Sequence, residues 1–438
     1  MGVIEELKRG VDNGQVKWGR ELKSEFYCTE FHTKKETVNA ITFGDNLEYM
    51  KWLLEKGYGG KIDLIYIDPP FFTKSKYDAT IKFTDDDGKK KSIKHLAYAD
   101  VYDGELSVYA ENITARLLAM KELLSDKGLI WVHLDWHSSH YVKVLLDEVF
   151  GSKRFENEVI WTYKSGGTGK RHFSRKHDTL LVYSKTKDYF FNVPKEKSYN
   201  RGLKPYRFKG VKEYRDEIGW YTMVNMKDVW YLDMVGRTSH ERNGYATQKP
   251  ESLLKRIIEC STKPGDLCAD FFCGSGSLLA AADDLGRNFI GCDREKLAIA
   301  TAKKRLDNRG AMYNYYSDNK GSYTLDSFKV GIKNTTKLEG ESVLVTLCIE
   351  KFNPIINLND IVKQDREFVD KIAKESPINL LDYIIIDDNY QAPRFIATEI
   401  INDMFSDIKV IVKGDLGLIG VDTFGNEYID ILYKEGFN

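Results

Sequence analysis

The segment DLCADFFCGSGSLLAAADDL, residues 266–285, decides the fold of this chain. Its first part, residues 266–272, is short and apolar and is typical of a buried strand, whereas residues 277–285 have the apolar spacing of a helix. Gly274 and Gly276 lie between them, where glycines let the backbone approach a ligand at a helix N-terminus. Strand, glycine turn and helix in this order predict one unit of a parallel α/β sheet with a ligand site at the turn.

The residues around this turn indicate the kind of ligand. Asp293 ends the next predicted strand, about twenty residues on, where an acidic side chain can bind ribose hydroxyls. A dinucleotide site would have a third glycine at position 279, but that residue is Leu279. Together with Asp270 directly before the turn, this difference favours a nucleoside ligand such as S-adenosylmethionine over NAD.

A second strand ends in a motif with a different chemistry. Residues 61–68, KIDLIYID, are mostly apolar and stop at Pro69 and Pro70. Prolines lack an N–H, so Asp68 and the nearby carbonyls are left as acceptors, which suit an amino group, and Phe71 offers a face on which a planar ring can stack. A stiff turn capped by Asp68 is the alternative interpretation. With a methyl donor at the glycine turn, the two motifs predict direct transfer of a methyl group to an exocyclic amine.

The remaining patterns extend the same architecture. Helices are predicted over residues 47–56, 105–126, 141–150, 251–261 and up to about 306, and strands over residues 128–135, 157–163 and 288–293. Nearly continuous apolar strands that alternate with helices predict an α/β fold with a doubly wound, mostly parallel sheet. After residue 317 the pattern restarts with strands over 342–350, 380–387, 409–413 and 428–433 and a helix near 360–375, which predicts a small C-terminal α/β domain.

Length and composition exclude several classes of protein. The 438 residues are enough for two or three domains, and a composition of 42% hydrophobic and 30% charged residues excludes a disordered chain. No apolar stretch is long enough to span a membrane, and residues 1–15 lack the apolar core of a signal peptide, so we expect a cytoplasmic protein. The six cysteines have no metal-ligand spacing and are expected to be buried free thiols without a metal.

Charge is distributed unevenly along the chain. Residues 161–245 contain 18 Lys and Arg against 9 Asp and Glu, with 16 aromatic residues among them. Residues 321–438 contain 12 Lys and Arg against 20 Asp and Glu. A basic, aromatic-rich middle is typical of a surface that binds a polyanion, although a solvated basic face over core aromatics would have the same composition.

Taken together and in this order, the motifs resemble the amino-group DNA methyltransferases, which methylate N6 of adenine or N4 of cytosine. Two further segments agree with the family: residues 44–47, Gly-Asp-Asn-Leu, and residues 247–250, Thr-Gln-Lys-Pro. Because the catalytic motif precedes the methyl-donor loop, the chain resembles the β-type permutation. The resemblance implies the sheet of the S-adenosylmethionine-dependent methyltransferases with an inserted target-recognition region, and S-adenosylmethionine as the cofactor.

The resemblance also implies roles for individual residues. The expected catalytic residues are Asp68, Pro69, Pro70 and Phe71. The expected cofactor-binding residues are Asp45, Thr247, Lys249, Asp270, Phe272, Gly274, Gly276 and Asp293. The expected domains are residues 1–160 with the catalytic half, 161–245 for target recognition, 246–318 with the cofactor half and 319–438 as the C-terminal domain.

The substrate follows from the same resemblance. An aspartate at the first position of the catalytic motif is usual for adenine enzymes, so we expect methylation of N6 in a flipped-out adenine of double-stranded DNA. The enzyme would belong to a restriction-modification system or act alone. Cytosine-N4 transfer, an RNA target and a non-catalytic DNA-specificity subunit are the alternatives. Residues 44–47 and 421–426 also resemble modification subunits of type III restriction systems.

The basic middle and the acidic end have different expected partners. The candidate phosphate contacts are Lys164, Lys170, Arg171, Arg175 and Lys176, which could instead be solvated. The C-terminal domain is too acidic to lie along DNA, and we expect it to serve a homodimer or the docking of a restriction subunit. The resemblance places the protein in a prokaryotic or phage-like cytoplasm, associated with the nucleoid.

Overall fold

The structure is a computed structural model that describes residues 2–85, 89–100, 105–165, 170–236, 239–245, 247–318, 323–338, 340 and 342–437. In these residues the α-helices are α1 (Val3–Trp18), α2 (Asn46–Glu55), α3 (Leu106–Leu123), α4 (Ser139–Phe150), α5 (Glu251–Ser261), α6 (Ser277–Asp284), α7 (Lys296–Asp307) and α8 (Arg366–Glu375). The strands are β1 (Tyr27–Phe31), β2 (Ala40–Phe43), β3 (Ile62–Ile67), β4 (Lys76–Thr84), β5 (Lys90–Ala99), β6 (Leu124–Leu134), β7 (Phe155–Thr162), β8 (His177–Ser184), β9 (Lys195–Tyr199), β10 (Glu213–Arg215), β11 (Trp220–Asn225), β12 (Val229–Tyr231), β13 (Leu267–Asp270), β14 (Asn288–Asp293), β15 (Asn314–Ser317), β16 (Phe328–Lys337), β17 (Val343–Phe352), β18 (Leu381–Tyr390), β19 (Phe395–Ile396), β20 (Glu399–Ile401), β21 (Ile408–Val412), β22 (Asp415–Asp422) and β23 (Glu427–Leu432).

Eleven of the described strands form one sheet, in the order β12-β7-β8-β6-β3-β13-β14-β2-β15-β1-β19. The six consecutive strands from β6 to β15 in this order are parallel. Strand β8 is antiparallel to β6 and β7, and β1 is antiparallel to β15. The predicted mostly parallel sheet is therefore confirmed.

Helices cover both faces of this sheet. This explains why the sequence of β3 is mostly apolar and does not alternate between apolar and polar residues. Ile65 packs into a core with residues of α2, α3 and α4. Leu64 and Tyr66 point to the opposite face and pack with residues of α5, α6 and α7. A strand that is buried on both faces reads as a continuous apolar run, which is the pattern that the doubly wound fold requires.

Strand β3 lies directly beside β13, although about 200 residues separate them in the chain. Leu64 is opposite Cys268, and Ile65 is opposite Ala269, with both strands running in the same direction. From this pair the sheet continues to β6 on one side and to β14 on the other. Ligands of open α/β sheets bind at such a point, outside the carboxyl ends of the strands.

The segment after β3 is connected to the C-terminal region. Strands β4 and β5 form a hairpin, and its residues Ile81, Phe83 and Ile93 belong to the apolar core of the C-terminal sheets. Those sheets have the orders β16-β17-β21 and β20-β18-β22-β23, while β19 pairs with β1 at the edge of the large sheet. The hairpin and the edge strand β19 thus both join the C-terminal region to the rest of the chain.

The middle of the chain contributes to two sheets. Strands β8 and β12 belong to the large sheet, whereas β9, β10 and β11 form a separate three-stranded sheet. This small sheet carries the aromatic side chains Tyr199, Tyr214 and Tyr221. The ring centroid of Tyr221 lies 5.6 Å from that of Tyr199 and 5.6 Å from that of Tyr214. The basic and aromatic composition of the middle is therefore concentrated outside the large sheet.

Some element boundaries differ from the sequence patterns. The helix expected over residues 105–126 ends at Leu123, and β6 begins at Leu124 without a loop between them. Helix α1 and the β4–β5 hairpin have no counterpart among the predicted elements. In the described residues, no helix combines the length and apolar character that crossing a bilayer would require.

Candidate active site at the carboxyl edge of the sheet

Three aspartates lie at the carboxyl ends of neighbouring parallel strands. Asp68 directly follows β3, Asp270 is the last residue of β13, and Asp293 is the last residue of β14. Because the strands are adjacent and parallel, the three side chains meet at one edge of the sheet, where they line one cavity. The fold thus brings together the two motifs that lie far apart in the sequence.

The loop that follows Asp68 is held in place by side chains from outside it. The Tyr109 hydroxyl of α3 donates a hydrogen bond of 3.0 Å to the Pro70 carbonyl. Asp100, which follows β5, accepts hydrogen bonds from the N–H and the hydroxyl of Thr73, at 2.7 and 2.9 Å. Phe72 has a φ of +62°, which is uncommon for a residue other than glycine and is maintained by this surrounding structure.

Asp68 has one occupied and one unoccupied carboxylate oxygen. Its Oδ2 atom forms an ion pair with Nζ of Lys249. Its Oδ1 atom is buried and accepts no hydrogen bond from any of the described residues. A buried acceptor without a donor costs about 1–3 kcal/mol, so this atom indicates a ligand that donates a hydrogen bond. Phe71 lines the same cavity and offers its ring beside this carboxylate.

The glycine loop after β13 has two glycines with separate functions. Gly274 has a φ of +48° and lines the cavity, and its N–H donates a hydrogen bond of 2.9 Å to Asp293 Oδ2. Gly276 has a φ of +71° and is the N-cap residue of α6. A Cβ at position 276 would lie 2.8 Å from the Cβ of Ala302 on α7. Gly274 therefore shapes the ligand site, and Gly276 allows two helices to pack closely.

The charge of the cavity favours a positively charged ligand. Burial raises the pKa of Asp270 well above its usual range, and the neighbouring carboxylates of Asp68 and Asp293 raise it further. Burial also raises the pKa of Asp293. A cation would stabilise these carboxylates, and the sulfonium of S-adenosylmethionine is one. The residues present therefore fit S-adenosylmethionine.

Two of the expected cofactor-binding residues lie outside the cavity lining, while the others line it. Gly276 packs against α7, and Asp45 caps α2 by accepting hydrogen bonds from the N–H groups of Leu47 and Glu48, at 2.9 and 3.2 Å. The neighbouring Asn46 lines the cavity instead and donates a 2.6 Å hydrogen bond to the Phe271 carbonyl. The lining residues among those expected are Thr247, Lys249, Asp270, Phe272, Gly274 and Asp293.

A buried hydrogen-bonded chain beside Asp68 has no counterpart in the sequence interpretation. The Tyr66 hydroxyl lies 2.8 Å from Nδ1 of His133, and Nε2 of His133 lies 3.2 Å from Oδ2 of Asp178. Tyr163 donates a further hydrogen bond of 3.0 Å to Oδ1 of Asp178. Tyr66, His133 and Asp178 come from β3, β6 and β8, and Tyr163 directly follows β7. The sequence signal for Tyr66 is its position two residues before Asp68, on the same face of the strand.

The expected phosphate contacts lie between β7 and β8, where residues 166–169 fall outside the described residues. The Arg175 guanidinium lies 3.6 Å from the ring centroid of Trp136, which follows β6 at the cavity-bearing edge of the sheet. Lys176 donates a hydrogen bond of 2.6 Å to the Ser165 carbonyl. Lys164, Lys170 and Arg171 are exposed, and none of the five residues lines the cavity in the described part of the chain.

Comparisons with known proteins find relatives among the DNA methyltransferases. The type II methyltransferase M.EcaI of Enterobacter cloacae is 27% identical over 77% of this chain and 84% of its own length. The type II methyltransferase M2.LlaDCHI of Lactococcus lactis subsp. cremoris is 31% identical over 60% of this chain and 87% of its own length. Among solved structures, M1.HpyAVI in complex with SAM aligns with a TM-score of 0.41 and 21% identity, over 61% of this chain and 98% of that one.

Both curated relatives carry type II names, and the resemblance to type III modification subunits stays a prediction. The model of the N6/N4 DNA methylase family matches residues 62–304, more than half of the chain, and this range includes both the catalytic motif and the glycine loop. The chain therefore belongs to the N6/N4 DNA methylases, a family of DNA methyltransferases whose methyl donor is S-adenosylmethionine.

Proposed function

We propose that this chain is a site-specific methyltransferase that methylates N6 of a flipped-out adenine in double-stranded DNA. The observation that carries the proposal is the buried Oδ1 atom of Asp68, which lacks a donor among the described residues and lies beside Phe71 in the cavity of the glycine loop. An exocyclic amine supplies such a donor, and its purine ring supplies a face to stack on Phe71. The aspartate at position 68, where cytosine-N4 enzymes usually have serine, supports adenine as the base.

Asp68 and Pro69 activate the amine in this proposal. The amine of adenine is a weak nucleophile because its lone pair is conjugated with the ring. When Asp68 and the Pro69 carbonyl accept its two N–H groups, the nitrogen moves toward tetrahedral geometry and the lone pair becomes available. Asp68 is also placed to accept the proton that the nitrogen loses as it gains the methyl group.

Several other residues would hold the methyl donor. S-adenosylmethionine supplies, when bound, an electrophilic methyl carbon whose bond to sulfur breaks with both electrons remaining on sulfur. Asp270 and Asp293 complement its positive charge and its ribose hydroxyls, while Phe272, Gly274 and Thr247 shape the walls. The main contribution of the chain is positioning, which is worth up to about 7–11 kcal/mol when reacting atoms are held in near-attack geometry.

The middle of the chain would contact the duplex. Arg175, stacked on Trp136 at the cavity-bearing edge, supports a phosphate-binding role for the segment between β7 and β8. The small sheet of β9, β10 and β11 would contribute to reading the sequence around the target. A base inside a duplex cannot reach a cavity at the edge of the sheet, so the target adenine must be flipped out.

The first experiment is nucleoside mass spectrometry on unmethylated DNA incubated with the purified chain and S-adenosylmethionine. N6-methyladenine is expected, and sequencing of the same DNA maps the recognition site. The variant Asp68→Ala should lose methylation by at least about 100-fold while its DNA affinity stays within about twofold, since Asp68 acts on the amine and not on the duplex.

Three results would contradict parts of the proposal. N4-methylcytosine as the product would show that Asp68 does not select adenine. Methylation of RNA but not of DNA would show that RNA is the substrate. An Asp68→Ala variant with unchanged methylation would remove Asp68 from the catalytic residues.

A further inference from the structure

The catalytic carboxylate of Asp68 already has a partner within the chain. Nζ of Lys249 forms an ion pair with Asp68 Oδ2, and the same ammonium lies 5.5 Å from the centroid of the Phe71 ring. The ammonium also donates a hydrogen bond of 3.5 Å to the Thr247 carbonyl. One charged group therefore engages both surfaces that the target base would need, the carboxylate and the ring.

This contact competes with the target base for Oδ2 of Asp68 and for the face of Phe71, although among the described residues Oδ1 of Asp68 stays open. The side chains of Lys249 and Asp68 are 12% and 15% exposed, so little water screens their attraction. A charge-assisted hydrogen bond is about twice as strong as one between neutral groups, and the target amine is neutral. The amine can therefore reach Oδ1 but cannot displace Lys249 from Oδ2 and from beside the Phe71 ring by its own hydrogen bonds.

Binding of the methyl donor changes this balance. In the loaded state the methyl carbon must lie about 3–3.5 Å from the amine nitrogen, which brings the sulfonium that carries it close to Asp68. Lys249 would then share Asp68 with a second positive charge, and like charges repel strongly in a poorly hydrated cavity. The α-carboxylate of the donor offers the Lys249 ammonium a different partner. The donor therefore binds more tightly when Lys249 has left Asp68 than when the two are paired. Only such a difference in affinity can shift the equilibrium between the two states.

We propose, on the basis of the proposed function, that Lys249 blocks the target-amine site until the methyl donor is bound. Lys249 is then a positioning residue that sets the order of binding: the donor first, the flipped adenine second. The coupling is reciprocal: if the donor raises the affinity for the flipped base by some factor, the flipped base raises the affinity for the donor by the same factor.

The test measures base flipping without chemistry. The duplex carries the mapped site with 2-aminopurine in place of the target adenine, and its fluorescence rises when the base leaves the stack. Sinefungin, which has a protonated amine near the position of the sulfonium, replaces the donor. For the wild-type chain, sinefungin should tighten the flipped complex by about 5–150-fold. The variant Lys249→Met should flip the base without sinefungin, and sinefungin should change its affinity by less than about twofold.

Lys255→Met is the matched control. Lys255 lies on α5, six residues after Lys249, and pairs with Asp284 at 2.7 Å, away from the cavity lining. This variant should keep the wild-type dependence on sinefungin. If Lys249→Met does not fold, the wild-type chain alone decides, because equal flipping with and without sinefungin would overturn the proposal.

The failure of this inference is distinguishable from the failure of the proposed function. If the wild-type chain methylates adenine but the Lys249→Met variant depends on sinefungin as the wild type does, only the blocking role is wrong. A chain that methylates no adenine in DNA would overturn both.

Discussion

Gly274 and Gly276 lie two positions apart in one loop, yet the tertiary structure gives them different tasks. Both have positive φ angles, of +48° and +71°. A Cβ at position 274 would come only to 3.4 Å from the Tyr245 ring, whereas a Cβ at position 276 would lie 2.8 Å from that of Ala302. Gly274 is needed chiefly for the ligand site, and Gly276 for the packing of α6 on α7.

Alanine at each position should therefore produce a different defect. Gly276→Ala should destabilise the chain by about 1–3 kcal/mol, through backbone strain and a clash with α7, and lower its thermal unfolding midpoint. Gly274→Ala should have a smaller effect on the midpoint and a larger one on the affinity for S-adenosylmethionine. Calorimetric unfolding and cofactor titration of both variants check this, and the reverse order of effects would contradict it.

Helix α7 joins the large sheet to the C-terminal region through a buried charged cluster. Lys303 Nζ lies 2.8 Å from Glu30 Oε1 on β1 and 2.7 Å from Glu427 Oε1 on β23. Burial opposes ionisation of Glu30, but the Lys303 ammonium and His32 lower its pKa to about 2. Although burial disfavours the imidazolium of His32, Asp307 and Glu30 raise its pKa to about 9. The lysine thus neutralises carboxylates from two elements that would otherwise repel each other.

Removing that lysine should weaken the connection between these elements. Lys303→Met would remove the cation that Glu30 and Glu427 share and leave His32 as the partner cation of Glu30, and we expect a loss of about 3–5 kcal/mol. The next residue supplies the control: Lys304 pairs with Asp382 at 2.7 Å but is about one-third exposed, so Lys304→Met should cost about 0–1 kcal/mol. Denaturant unfolding of both variants measures the difference, and equal losses would contradict the assigned role of Lys303.

Over the whole molecule, opposite charges are concentrated in different regions. The middle, residues 161–245, has an excess of nine basic residues, and residues 321–438 have an excess of eight acidic ones. The expected phosphate contacts lie at the end of β7 and before β8, at the same edge of the sheet as the cavity. DNA should therefore meet this edge and avoid the C-terminal sheets.

The dependence of DNA affinity on salt tests this arrangement. The double variant Arg171→Ala/Arg175→Ala should weaken binding to all sequences and reduce the slope of log affinity against log salt by about 2, since each lost phosphate contact removes about one. Lys409→Ala/Lys413→Ala, on and just after the C-terminal strand β21, removes the same charge and should leave the slope unchanged. Equal changes in the two variants would contradict the assigned DNA face.

The sequence by itself determined the two motifs, the strands that carry them and the class of chemistry. Residues 61–71 and 266–285 are local patterns, in which an apolar run ends at prolines or glycines, and such patterns are decided by backbone sterics and burial within one element. The order of the motifs was likewise sufficient for the family resemblance, which the match over residues 62–304 confirms.

Only the tertiary structure decided which side chains meet. The pairing of β3 with β13, the placement of Asn46 rather than Asp45 in the cavity lining, the Lys249–Asp68 ion pair and the chain from Tyr66 to Asp178 all join residues from different elements. The β4–β5 hairpin likewise contributes to a core whose other residues lie more than 200 positions away. Such contacts depend on how separate elements pack against each other, and the local periodicity of a sequence does not predict that packing.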